Sequence, residues 1–194
     1  MATQNPIEQE GTYPLPEAQL DRFLLHVRID YPGATAEQEI LSLARQEASQ
    51  QVNDYLSGST EANELSNKLE DTEPLVSQEM LFNARKDVMN VHMATNLEQY
   101  LLELILTTRD PKAYGDDLVQ WVQYGASPRA SIALDRCARA HAWLAGRDYV
   151  DPEDIQTMAY DVLRHRVLLT YEAEADGVTP DSFVKELISR IAVP

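Results

Sequence analysis

The stretch GASPRASIALDRCARAHAWLAGRDYVDPEDI, residues 125–155, decides how this chain is read. Ser127 stands directly before Pro128, and Asp151 directly before Pro152. In each pair a side-chain oxygen can accept from the free N–H groups of a first helical turn. The proline has no N–H to lose and a φ already near the helical value, so it sits in that turn without cost. Between the two pairs, small and apolar residues recur at helical spacing and give way to Gly146, which suits the left-handed backbone of a helix end.

Outward from this stretch the same grammar repeats. Thr179-Pro180 is a third pair, and the three pairs predict helices of roughly 17, 18 and 12 residues. Gly177, after TYEAEAD, is a second candidate helix end. Upstream, Ser77 precedes QEMLFNARKDVMNV, and Thr95 with Glu98 has the spacing of a capping box before LEQYLLELILTTR. The stripe from Tyr100 to Leu106 is expected in the core, with Trp121 and Trp143 as core or interface anchors. Residues 75–194 are therefore expected to form a bundle of five helices, mainly α in class.

The rest of the chain is less regular. Residues 33–74 start as a helix that Thr35 can cap, with Ile40, Leu41, Leu43, Ala44, Ala48, Val52 and Leu56 in rough helical register. SGSTEANELSNKLEDTEP, residues 57–74, is polar and acidic, and predicts a mobile linker with a domain boundary near Pro74. In residues 1–32 a turn-rich start, NPIEQEGTYPLP, is followed by FLLHVRI, residues 23–29, which reads as an interior strand of a parallel sheet. Almost nothing else here reads as a strand, so its neighbours are expected upstream of this sequence.

Composition bounds the function. With 194 residues, 44% of them hydrophobic, the chain can bury one sizeable core. Cys137 is the only cysteine, which excludes an internal disulfide and a Cys-cluster zinc site. The net charge of -16, from 16 basic and 32 acidic residues, repels a phosphate backbone, and the basic residues do not gather on one face. Nucleic acid is not an expected partner. No apolar run approaches the ~20 residues of a membrane span, and neither a basic start nor an export-type apolar stretch is present, so the cytoplasm is the expected compartment. There is no GxxxxGK[ST] phosphate loop, and His26, His92, His141 and His165 lack metal-ligand spacing. No metal site is expected. Taken alone, these residues describe a helical domain joined to a sheet remnant.

Three further stretches carry a resemblance. ATQNP at residues 2–6, LPEAQLDRF at 15–23 and GASPRA at 125–130 occur in the order and spacing found in MoxR-type AAA+ ATPases, and DYP at 30–32, AHAWLAGRDYVDPEDI at 140–155 and VLRHRV at 162–167 extend the likeness. Only residues 57–74 lack a counterpart. The resemblance implies a helical AAA+ lid domain, residues 75–194, preceded by a short strand-containing remnant of the αβα ATPase core, residues 1–32. It also implies roles. Asn5 matches the sensor-1 position, where an amide can both donate to and accept from a water beside the γ-phosphate; the alternative is an ordinary Asn-Pro turn. Arg22 matches the arginine finger, a permanently charged fork suited to the charge that develops on a transferring phosphoryl group in a neighbouring subunit; the alternatives are an ion pair with Asp21 or Glu17, or a solvated surface arginine. Arg129 matches the sensor-2 arginine, at a helix start whose free N–H groups favour an anion; the alternative is a plain first-turn arginine.

The run Arg164, His165, Arg166 is expected to lay its stems on the bundle and pair with local acids such as Asp161 or Glu172. For the full-length protein the resemblance implies ATP and Mg2+ as cofactors, a hexameric ring, and chaperone-like remodelling or activation of protein clients, among them von Willebrand factor A-type proteins. This chain alone is expected to bind no nucleotide firmly and to be inactive. Magnesium-chelatase and MCM-helicase relatives share an Asn-Pro sensor and a finger followed by Phe, although acidity weighs against the helicase. A non-enzymatic helical interaction module is a third reading.

Overall fold

Each of the three pairs opens a helix in the computed structural model, which describes residues 1–3, 15–56 and 75–194. These residues form two compact units, Met1–Val27 with Phe82–Pro194, and Arg28–Leu81. The expected linker, the boundary near Pro74 and Asn5 lie outside the described residues. The helices are α1 (Glu17–Leu20), α2 (Ala34–Leu56), α3 (Gln78–Asn90), α4 (Thr95–Thr107), α5 (Asp116–Trp121), α6 (Pro128–Leu144), α7 (Pro152–Leu163), α8 (Tyr171–Ala175) and α9 (Pro180–Arg190). Two short strands, β1 (Val122–Tyr124) and β2 (Leu168–Leu169), pair antiparallel, Val122 opposite Leu169. No helix among the described residues is long and apolar enough to cross a membrane.

The caps work as their chemistry requires, with two exceptions. Ser127 Oγ accepts from the Arg129 N–H at 3.2 Å, Thr179 Oγ1 from Ser182 N–H at 3.1 Å, and Ser77 Oγ from Met80 N–H at 3.1 Å. Gly146 and Gly177 adopt φ of 76° and 83°, the left-handed conformation that costs a β-carbon 1–2 kcal/mol or so. At α4, however, Ala94 is the N-cap and no side chain caps it, so Thr95 and Glu98 form no capping box. Likewise Thr35 lies inside α2, whose first turn is closed by Glu37 N–H donating to Gly33 O at 3.0 Å.

The core is built where helical faces meet. In α4, Tyr100, Leu101, Leu104 and Ile105 are buried while Leu102 and Leu106 stay exposed, so only one face of the Tyr100–Leu106 stripe is core. It packs on α6, which lies along α7, and α9 closes over α7 with Phe183, Val184 and Leu187. Each of these large side chains contributes about 1.5–3 kcal/mol by leaving water. Trp121 and Trp143 pack against this core half-buried, as expected.

Residues 75–194 hold seven α-helices, α3 to α9, where five were expected, and two further expectations fail on extent. The second pair starts a helix of 12 residues, because the chain turns at Leu163, where Arg166 N–H and Val167 N–H both donate to its carbonyl, and then enters β2. Residues 23–29 form no strand. A strand needs a ladder partner, and here His26 N–H donates instead to Asp161 O at 2.9 Å, leaving Val27 and Ile29 exposed.

Candidate functional site

The LDRF segment ends α1 in a tight turn: Arg22 N–H donates to Gln19 O at 3.1 Å and Phe23 N–H to Leu20 O at 3.0 Å. Asp21 points from this turn to the lid. Its carboxylate accepts from Ser127 Oγ, 2.9 Å from both oxygens, from Arg166 Nε at 3.1 Å and from Arg129 Nη1 at 3.4 Å. Thus LDRF, GASPRA and VLRHRV, up to 145 residues apart, meet at one carboxylate.

The meeting leaves Arg22 in a distinct state. Its side chain is exposed, and among the described residues no carboxylate pairs with it. The ion pair with Asp21 does not form, because that carboxylate is occupied by lid groups. Arg129 is different. It is 52% exposed and tethered loosely by Asp21, so it is not a bare cation at a positive helix end, yet it keeps most of its donors toward solvent. The glycine of GASPRA has a packing reason: a β-carbon at Gly125 would lie 2.3 Å from Thr108 O. The close approach lets Ala126 N–H donate to Thr108 Oγ1 at 2.9 Å and Arg109 Nε donate to Ala126 O at 2.7 Å. This fixes the loop that presents Ser127 and Arg129.

The Arg164–Arg166 run does more than lie along the bundle. Arg164 does pair with Asp161, at 2.6 Å, and also with Asp181 at 2.9 Å, while its Nη1 donates to His26 O at 2.7 Å. Glu172 takes neither arginine among the described residues. His165 Nε2 lies 3.3 Å from Phe23 O, which a neutral ring satisfies by donating. Burial, and then the positive charge of Arg166, lower the His165 pKa to about 4, so the ring is neutral at pH 7. Arg166 is the most enclosed: its side chain is 2% exposed. The signal was present in the sequence as two arginines held between Val162-Leu163 and Val167-Leu168, charges in an apolar setting that must be buried with partners.

Known proteins place this geometry in context. Residues 120–187 match the AAA lid domain family, and residues 1–25 match the ATPase family associated with various cellular activities. The chain is 40% identical to the YeaC protein of Bacillus subtilis over 194 residues, all of this chain and 52% of that protein. It is 37% identical to the chaperone MoxR1 of Mycobacterium tuberculosis over 195 residues, all of this chain and 46% of that protein. A crystal structure of a candidate ATPase from Cytophaga hutchinsonii superposes with a TM-score of 0.80 at 36% identity, covering 99% of this chain and 53% of that one. The chain thus spans about half the length of the curated relatives it matches.

Proposed function

The chain belongs to the MoxR-type AAA+ ATPases, and from that membership we propose that it supplies the arginine finger, the two nucleotide sensors and the lid of an ATP-driven ring that remodels or activates other proteins. The observation that carries this reading is the state of Arg22: exposed, unpaired among the described residues, and next to a carboxylate that lid groups hold away from it. An arginine kept free of local acids is available to an anion outside its own subunit.

Arg22 and Arg129 fit a phosphate-bearing ligand, since both are exposed cations with donors to spare and Arg129 sits at the start of α6. Bound ATP with Mg2+ supplies the transferable phosphoryl group and the metal that neutralises part of its charge. Arg22 would bring charge to the γ-phosphoryl oxygens of a neighbour's site, most strongly in the transition state. Arg129 would hold anionic oxygens at the lid, and Asn5 would orient water. Because this chain has no phosphate loop of its own, we expect it to hydrolyse no ATP alone. The chaperone name of the mycobacterial relative supports protein clients; we propose von Willebrand factor A-type proteins as their class and a hexamer in the cytoplasm as the working assembly.

Mixed rings test the reading. In the full-length protein, Arg22→Ala should cut hydrolysis about 10³-fold or more while leaving ATP affinity within about twofold, since the contact matters mainly in the transition state. Subunits with a broken phosphate loop but an intact Arg22 should restore activity to Arg22→Ala subunits. Assembled mixed rings that regain nothing would return Arg22 to the surface.

A further inference from the structure

Arg166 uses all five of its N–H donors. Nε meets Asp21 Oδ1 at 3.1 Å; Nη1 meets Leu24 O at 3.2 Å and Val162 O at 2.6 Å; Nη2 meets Asp21 O at 3.3 Å and Phe23 O. Four of these five bonds go to the turn that bears Arg22. The backbone oxygens it takes there belong to the residue just before Arg22 and to the two residues just after it. Arg22 is thus bracketed by bonds from a guanidinium that belongs to the lid, while its own side chain makes none of them. His165 adds a bond to Phe23 O, and Arg164 one to His26 O, so three consecutive lid residues hold consecutive parts of the finger segment.

We propose that Arg166 is a positioning residue for Arg22: it fixes the finger-bearing turn to the end of α7, so that the finger offered to a neighbouring subunit moves with the lid of its own subunit. The inference rests on the reading of Arg22 as a trans-acting finger. Geometry makes arginine specific here. A lysine carries its donors on one nitrogen and cannot reach carbonyls on both sides of Arg22 while also meeting Asp21 and Val162. The Asp21 carboxylate extends the link to the start of α6 through Ser127 and Arg129, which joins the lid's candidate anion contact to the same turn.

The test is a double-mutant cycle in the full-length ATPase, with folding checked by thermal melting and ring assembly by sedimentation. Arg166→Lys should lower kcat about 10²-fold, the scale of a finger misplaced by an ångström, with the Kd for ATP changed by no more than about twofold. The Arg22→Ala/Arg166→Lys double variant should be no slower than Arg22→Ala alone, because a positioning residue has nothing left to position. Rings mixed from Arg166→Lys and Arg22→Ala subunits should regain no hydrolysis, since both kinds fail in what they offer a neighbour. A double variant slower by the full Arg166→Lys factor, or mixed rings that recover, would place Arg166 in its own subunit's site and overturn the proposal. Should Arg166→Lys fail to assemble, Asp21→Asn takes its place in the cycle: it keeps the backbone bonds and should give a drop of about tenfold that is likewise absent on the Arg22→Ala background. Full activity in Arg22→Ala by itself would instead remove the finger reading, and this proposal with it.

Discussion

Two carboxylates in this molecule each gather several nitrogen and oxygen donors at a helix start, and they do so with partners of different reach. Asp154 is 1% exposed and takes Arg147 through both guanidinium nitrogens, at 2.8 and 2.6 Å, His141 Nδ1 at 2.6 Å, and the Asp151 N–H at 2.7 Å. All its partners lie within 13 residues. Although burial raises its pKa, the bonds from Arg147, His141 and the backbone hold it at about 2. Asp21 is 21% exposed, and its partners lie 106 to 145 residues away. The first cluster closes the α6–α7 corner with partners that are all near in sequence. The second joins segments distant in sequence and leaves two arginines facing solvent. A local cluster fixes one corner of the fold, whereas one that ties distant segments sets where the groups beside it stand.

That contrast can be broken by experiment. Asp154→Ala should destabilise the chain by about 3 kcal/mol in chemical denaturation, because it removes a carboxylate that is 1% exposed from Arg147 and His141 and leaves the Asp151 N–H without its acceptor, while Arg147 keeps Asp151 Oδ2 and Tyr149 O. Asp21→Ala should cost about 2 kcal/mol, because Arg166, 2% exposed, keeps its carbonyl acceptors but loses its carboxylate; a loss of hydrolysis in the full-length protein as large with Asp154→Ala as with Asp21→Ala would erase the distinction. Gly125→Ala falls in the same range: a β-carbon pressed on the Thr108 carbonyl should cost about 2 kcal/mol and disturb the loop carrying Ser127 and Arg129. A melting temperature equal to that of the parent chain would show that the loop has room.

Acidity separates the clusters more gently. The folded value of His165, about 4, lies below its ordinary 6.5, so between these values the unfolded chain binds a proton that the folded one refuses. Stability should therefore be whole above pH 6.5 and decline as pH falls toward 4, by about 2 kcal/mol at most after allowance for partial exposure. Asp154, held near 2 against an ordinary 3.8, contributes fully above pH 3.8 and loses its contribution below it. Melting curves of the parent chain and of His165→Asn should then diverge between pH 6.5 and 4 and run parallel below. A constant gap across that range would mean that His165 is not held neutral.

The helix starts, the left-handed glycines and the predominance of helix were legible in the sequence because each rests on groups within one turn of each other: Ser127 with the Arg129 N–H, Thr179 with the Ser182 N–H, Gly146 after Leu144. The local Arg164–Asp161 pair was legible for the same reason. The failures have the opposite origin. A strand over residues 23–29 depends on neighbours, and with none paired to it the segment bonds to Asp161 and to the arginines of α7's end instead. Family resemblance could point to Arg22 and Arg129, but not to what surrounds them. That Asp21 turns away from Arg22 and toward Ser127, Arg129 and Arg166 was decided only by the tertiary fold, because a carboxylate among several cations takes the set that the backbone brings within hydrogen-bond reach, and sequence distance carries no information about that reach.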